Sequence, residues 1–88
     1  MKKEQLKELK QIANSLKPQF NLGKSGITEK FIETIDNYLT AHNILKVKAL
    51  IAEDKSSLEY LANEIAKETN STIIDKRGFT FVVYRDNN

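Results

Sequence analysis

The apolar positions of the chain fall into two alternating rhythms. From Glu4 to Leu16, Leu6, Leu9, Ile12, Ala13 and Leu16 recur at steps of three and four, the spacing of one helical face. Lys7, Lys10, Gln11 and Asn14 fall off that stripe. The helix should stop before Pro18, because a proline disfavours helical geometry in the residue preceding it. Gln19 to Leu22, with Phe20 and Leu22 alternating, predicts a short strand. A polar turn, Gly23-Lys24-Ser25-Gly26, follows it. Thr28 is a suitable N-cap and Glu29 suits the positive end of a helix dipole, so a second helix is predicted over Glu29 to His42. Phe31, Ile32, Ile35 and Leu39 form its buried stripe, with Tyr38 beside it.

Ile44 to Ile51 is the clearest strand. Leu45, Val47, Ala49 and Ile51 share one face; Ile44, Lys46, Lys48 and Leu50 share the other, which should be partly charged and wet. After the polar break Glu53-Asp54-Lys55, Ser56 and Glu59 have capping-box spacing. The third helix then turns Leu58, Leu61, Ala62, Ile65 and Ala66 inward and ends near Thr69-Asn70. Thr72 to Asp75 and Phe79 to Arg85 are β-rich runs separated by Lys76-Arg77-Gly78, the signature of an antiparallel hairpin. Asp86-Asn87-Asn88 should fray. The predicted order is α-β-α-β-α-β-β, an α/β two-layer sandwich with a four-stranded mixed sheet and helices on one or both of its faces.

Composition narrows the function. The 88 residues form one predicted domain, 1–88. A chain of this length buries roughly 60–65% of its unfolded surface, enough for a core but not for a core and a deep enclosed pocket. There is no cysteine, so disulfides, thiol nucleophiles and thiolate zinc sites are excluded. One histidine, His42, cannot build a His-rich metal site, and no metal or other cofactor is expected. No apolar run reaches the length of a membrane span, and Met1-Lys2-Lys3-Glu4-Gln5 leads into a polar helix rather than an apolar signal region. These features lead us to expect a cytoplasmic protein with no membrane partner.

The net charge is only +2, yet it is uneven. Residues 1–48 carry nine basic and five acidic side chains, and residues 49–88 five and seven, so the first part is cationic by four and the second anionic by two. A basic half attracts polyanions, although a solvated mixed surface has the same composition.

Catalytic patterns are absent. At the end of the second helix His42 suits the helix dipole better than a general-base role. Neither Ser25 nor Ser56 has a partner for a triad, and Glu53 and Asp54 read as a solvated turn. Gly23-Lys24-Ser25 lacks the glycine four residues upstream that a P-loop needs. Neither an enzyme nor a small-molecule substrate is expected. The bracketed turn Gly23-Lys24-Ser25-Gly26 by itself reads as a plain tight turn, but its placement between a short strand and a capped helix offers a second use. Its glycines let a sugar-phosphate chain approach, its amides and the following helix start can donate to phosphate oxygens, and Lys24 adds a charge. GxxG loops clamp a nucleic-acid backbone for these reasons. Lys17, Lys46, Lys48, Lys76, Arg77 and Arg85 are further candidate cations. Phe20, Phe31, Tyr38, Tyr60, Phe79, Phe81 and Tyr84 read mostly as core rather than as stacking platforms.

Four segments in order, Leu16-Lys17-Pro18, Leu22-Gly23-Lys24-Ser25-Gly26-Ile27-Thr28, His42-Asn43-Ile44-Leu45-Lys46-Val47-Lys48 and Gly78-Phe79-Thr80-Phe81-Val82-Val83-Tyr84-Arg85, make the chain resemble the CRM domain (chloroplast RNA splicing and ribosome maturation) in its stand-alone bacterial, YhbY-like form. The resemblance implies a fold similar to the C-terminal domain of translation initiation factor three. It also implies an RNA-binding role, with Gly23, Lys24, Ser25 and Gly26 as the loop facing RNA. It associates the stand-alone members with ribosomal RNA and large-subunit precursors. Two positions depart from the pattern: Asn43 stands where an acidic residue is common, and Arg77 where an apolar one is usual. The expected contacts are therefore the loop, with Lys17, Lys46, Lys48, Arg77 and Arg85 in support. A protein-interaction adaptor, motivated by the acidic second half and by Ile44 and Leu50 on a wet strand face, is the alternative.

Overall fold

The computed structural model describes residues 2–87. Its elements are α1 (Lys3–Ser15), β1 (Phe20–Leu22), α2 (Glu29–His42), β2 (Ile44–Ala49), α3 (Lys55–Thr69), β3 (Thr72–Arg77) and β4 (Thr80–Tyr84). They form one four-stranded mixed sheet in the order β1-β2-β4-β3, with β1 parallel to β2 and the other pairs antiparallel. This is the expected α/β order. Because strand side chains alternate, the sheet has two apolar faces. Leu22, Leu45, Val47, Ala49, Phe81 and Val83 pack against Ile35 and Leu39 of α2 and Leu58, Ala62 and Ile65 of α3. That sheet-plus-helix pair is the sandwich. On the opposite face Ile74, Val82, Ile44 and Tyr84 meet Leu6, Leu9 and Ala13 of α1.

The single helix covers only part of its face. Leu9 and Ala13 are buried, but Ile12 remains 49% exposed, contrary to its expected place in the stripe. At about 100° per residue Ile12 lies at the edge of the arc centred between Leu9 and Ala13, and no second helix stands beside α1 to cover it. The face of Lys46 and Lys48 is accordingly divided. Ile44 is half-buried beneath α1, whereas Lys48 is exposed.

Local chemistry sets the ends. The Thr28 hydroxyl accepts from the Phe31 amide at 3.0 Å, as its N-cap position requires. Both α2 and α3 close on a left-handed asparagine, Asn43 with φ 67° and Asn70 with φ 52°, a conformation asparagine tolerates better than most residues. Asn43 also donates its side-chain amide to the Arg85 carbonyl at 2.8 Å and accepts the Arg85 amide on its own carbonyl at 2.8 Å. Here an uncharged side chain serves a turn-and-strap geometry.

Several boundaries differ from expectation, among them the end of β2, which stops at Ala49 with Leu50 and Ile51 in the turn that follows. α3 begins at Lys55, because Asp54, not Ser56, is the N-cap: its carboxylate accepts from the Ser57 amide at 2.8 Å. Lys76 and Arg77 are strand residues opposite Phe81 and Thr80, so the hairpin turn is Gly78-Phe79 alone. Gly78 has φ +56°, which fits a tight two-residue hairpin turn with glycine first. The C-terminal tail is partly tied down: the Asn87 side-chain amide donates to the carbonyls of Leu39 and Thr40 at 3.0 and 3.2 Å, at the end of α2. Asn88, the last residue of that expected fray, lies outside the described residues.

A β-bulge decides where the charges of β3 go. Ile73 pairs with Val83 and Asp75 with Val82, leaving Ile74 as the extra residue. The alternation of β3 shifts there by one. Lys76 thereby faces the α2–α3 side, opposite Phe81, while Arg77 faces the α1 side, opposite Thr80.

Candidate nucleic-acid interface

The Gly23–Gly26 segment is a closed β-turn: the Gly26 amide donates to the Gly23 carbonyl at 2.9 Å. Gly26 holds φ +68°, where a side chain would be strained. At Gly23 and Gly26 an added Cβ would meet nothing within 4 Å, so the glycines face open space. Lys24 and Ser25 are exposed, and among the described residues neither side chain makes a hydrogen bond or ion pair. The turn leaves the end of β1, and Ile27 and Thr28 join it to α2. The Leu50 amide donates to the Leu22 carbonyl at 3.0 Å and the Ala49 amide to the Phe79 carbonyl at 2.7 Å. The GxxG turn, the turn after β2 and the hairpin tip therefore share one end of the sheet.

One register step back from that end, Asn21 pairs with Lys48, Lys48 with Thr80, and Thr80 with Arg77. These four side chains form one row across the sheet on the α1 face, perpendicular to the strands. Arg77 is open to solvent, with 72% of its side chain exposed, and its Nε stands 3.5 Å from Asp75. A surface pairing this exposed leaves the cation largely available. Lys3, Lys7 and Lys10 of α1 border the same shallow depression as Arg77. Their three- and four-residue spacing lines them along one edge of the helix, a signal the sequence carries in the position of Lys7 and Lys10 off the apolar stripe.

The expected supporting residues separate into three groups. Lys48 and Arg77 share the row, and Lys17 is exposed in the segment after α1. Lys46 lies on the same face but is half-buried, with its Nζ donating to the Leu16 carbonyl at 2.9 Å, where it fixes the exit of α1. Arg85 does not join them. Its guanidinium is turned inward, its side chain is only 15% exposed, and it contacts the Asp36 carboxylate and carbonyl, the Thr40 hydroxyl and the Thr69 carbonyl. A cation enclosed by two helices clamps the fold and offers no charge to a ligand. Lys76 also points away, with its Nζ 2.7 Å from Glu59.

The α2–α3 side has the opposite sign. α2, α3 and the turn before α3 carry Glu29, Glu33, Asp36, Glu53, Asp54, Glu59, Glu64 and Glu68 against Lys30, Lys55 and Lys67. A groove of about 560 Å³ between α2 and α3 is rimmed by Glu29, Glu64 and Glu68 and has no cationic lining. The backbone amide of Ser57, with its side chain in addition, lowers the Asp54 carboxyl below its ordinary range. Hydrogen bonding to Lys76 and its charge lower that of Glu59. His42 has no acid–base partner among these groups and lies against Tyr38, ring centroids 4.3 Å apart. Sequence reasoning also missed Phe79, read as core but 47% exposed at the hairpin tip.

The geometry defines a small α/β module with one cationic face, an open GxxG turn at the end of its sheet and an anionic back. The chain belongs to the CRS1/YhbY (CRM) domain family, whose model matches residues 1–85. It is 35% identical over 77 residues to a Haemophilus influenzae protein named "RNA-binding protein", covering 88% of this chain and 77% of that protein. It is 31% identical over 84 residues to a Pseudomonas aeruginosa protein named "Probable RNA-binding protein PA4753", covering 96% and 80%. The solution structure of the hypothetical protein SAV1595 from Staphylococcus aureus superposes with a TM-score of 0.82 at 28% identity, covering 100% of this chain and 91% of that one.

Proposed function

We propose that this protein is a non-catalytic RNA-binding module that engages ribosomal RNA or large-subunit precursor particles during ribosome assembly in the cytoplasm. Lys24 and the amides of its turn hold phosphates at the end of the sheet. Lys48 and Arg77 continue the track across β2, β4 and β3, with the lysines of α1, Lys17 and the half-buried Lys46 beside it. The observation that carries this reading is the Lys48–Thr80–Arg77 row, which leads toward the open turn on the face opposite the acidic helices. The names of the relatives and the family membership support RNA as the ligand. The module reads backbone and shape, because RNA presents no major-groove code to a surface of this kind.

The test is filter binding to ribosomal RNA with Lys24→Glu, Lys48→Glu and the pair combined. Each should weaken binding, and the apparent affinity of the parent should fall with salt at a slope of about −0.7 to −0.9 per phosphate contact. Unchanged binding by a folded double variant would reject the assignment. Sedimentation with large-subunit precursors at low salt, abolished in the same variant, addresses the ribosomal target. The adaptor alternative loses part of its motivation, because Ile44 is packed beneath α1.

A further inference from the structure

Among the described residues four large apolar side chains are exposed, and two of them, Leu50 and Phe79, belong to main-chain segments that are neighbours at the end of the sheet carrying the GxxG turn. They are 58% and 47% exposed, and neither belongs to the apolar cluster on either face. Phe79 makes no ring contact with another aromatic among the described residues. A lone exposed apolar residue needs no explanation. This pair has a specific setting. Across the sheet end the order is the Gly23 turn, Leu50 and the Gly78-Phe79 hairpin, fixed by the Leu50–Leu22 and Ala49–Phe79 backbone hydrogen bonds. The cationic row lies one register step behind. Phe79 sits in a two-residue turn with Gly78 at φ +56°, so its backbone is held before any ligand arrives.

An exposed aromatic at the end of a sheet that carries a row of cations is a feature suited to single-stranded nucleic acid. The cations track the phosphates and the ring face receives a base, whichever base it is. A duplex keeps its base faces stacked inside and cannot use the ring. We infer that Phe79 is a stacking site for one unpaired nucleobase, so that the module selects single-stranded RNA segments over duplex. This rests on the proposed RNA-binding role and adds to it a specificity element at the hairpin tip.

The test compares the parent, Phe79→Leu, Phe79→Trp and Lys48→Glu. The probes are an oligoadenylate RNA of about 12 nucleotides, the same strand carrying abasic sites, and the corresponding duplex. Phe79→Leu keeps the apolar bulk and removes the ring. It should lose about 5- to 150-fold in affinity for the oligoadenylate, the range one stacked base supplies, and lose little on the abasic strand or the duplex. Phe79→Trp should retain affinity, and its fluorescence, in a chain with no other tryptophan, should be quenched by the intact strand and not by the abasic one. Equal affinity of the parent and Phe79→Leu, with Lys48→Glu still weakened, would overturn the stacking site alone. No binding of any of the three RNA probes by the parent would overturn the RNA reading with it.

Discussion

The guanidinium of Arg85 bridges two helices: it contacts the Asp36 carboxylate on α2 and donates to the Thr69 carbonyl at the end of α3, 3.0 Å away. The main chain at Arg85 is meanwhile strapped to Asn43, so the exit of β4 is pinned to both α2 and α3. Removing the cation orphans a partly enclosed carbonyl and one side of an ion pair. Arg85→Ala should therefore cost about 2–3 kcal/mol in urea denaturation, and Arg85→Lys, which cannot reproduce the planar fork, somewhat less. RNA affinity per folded molecule should not change. A variant as stable as the parent would show the clamp to be incidental.

Lys76 and Arg77 are adjacent in sequence and opposite in space. Arg77→Glu should weaken RNA binding and lower the salt slope by about one contact, or 0.7 to 0.9. Lys76→Glu changes the charge equally on the α3 side, beside Glu59, and should leave the slope unchanged. Salt titrations of the two variants distinguish a face from a net charge; equal losses would favour the latter.

The two glycines of the turn should behave differently. Gly26 adopts φ +68°, so Gly26→Ala should destabilise by about 1–2 kcal/mol. Gly23 has no positive φ and an open surround, so Gly23→Ala should fold as stably as the parent. If the Gly23 backbone approaches a phosphate closely, Gly23→Ala should nevertheless bind RNA more weakly. Thermal melts and filter binding on the same preparations separate the two effects.

Acid should loosen the start of α3 and its link to the hairpin. Asp54 and Glu59 are both held below the ordinary carboxylate range, by the Ser57 hydrogen bonds and by Lys76 respectively. A folded value below the unfolded one means that the contribution is fully present above the ordinary range and is lost as pH falls through the lowered values. The protection of amides at Ser57 and in β3, relative to their intrinsic exchange, should fall as acid protonates the two carboxylates, and Asp54→Ala should remove the pH dependence of protection at Ser57. Protection at Ser57 that does not vary with acid would contradict the cap.

Much of this was legible in the sequence. Helical and strand periodicity located every element, and Thr28 marked the start of α2 because a cap acts within three residues. What failed was decided by competition or by distance. Asp54 and Ser56 both offer caps, and the carboxylate takes the Ser57 amide, moving the helix start back to Lys55. Arg85 looked like any terminal cation, because its enclosure depends on Asp36, which lies 49 residues away in the chain. The open turn at Gly23–Gly26 could be read from composition. That Lys48 and Arg77 share a row could not, since their neighbourhood depends on the pairing of three strands.

Ile74 has a consequence beyond its own packing. Strand alternation sends the neighbouring cations Lys76 and Arg77 to opposite sides of the molecule, and the extra residue in β3 decides which of them goes toward the acids and which toward the lysines. The same residues in a regular ladder from Ile73 onward, with no bulge, would turn Arg77 toward the acids and Lys76 toward the lysines, so the polarity of this protein depends on how many residues stand opposite Val82 as much as on their identity.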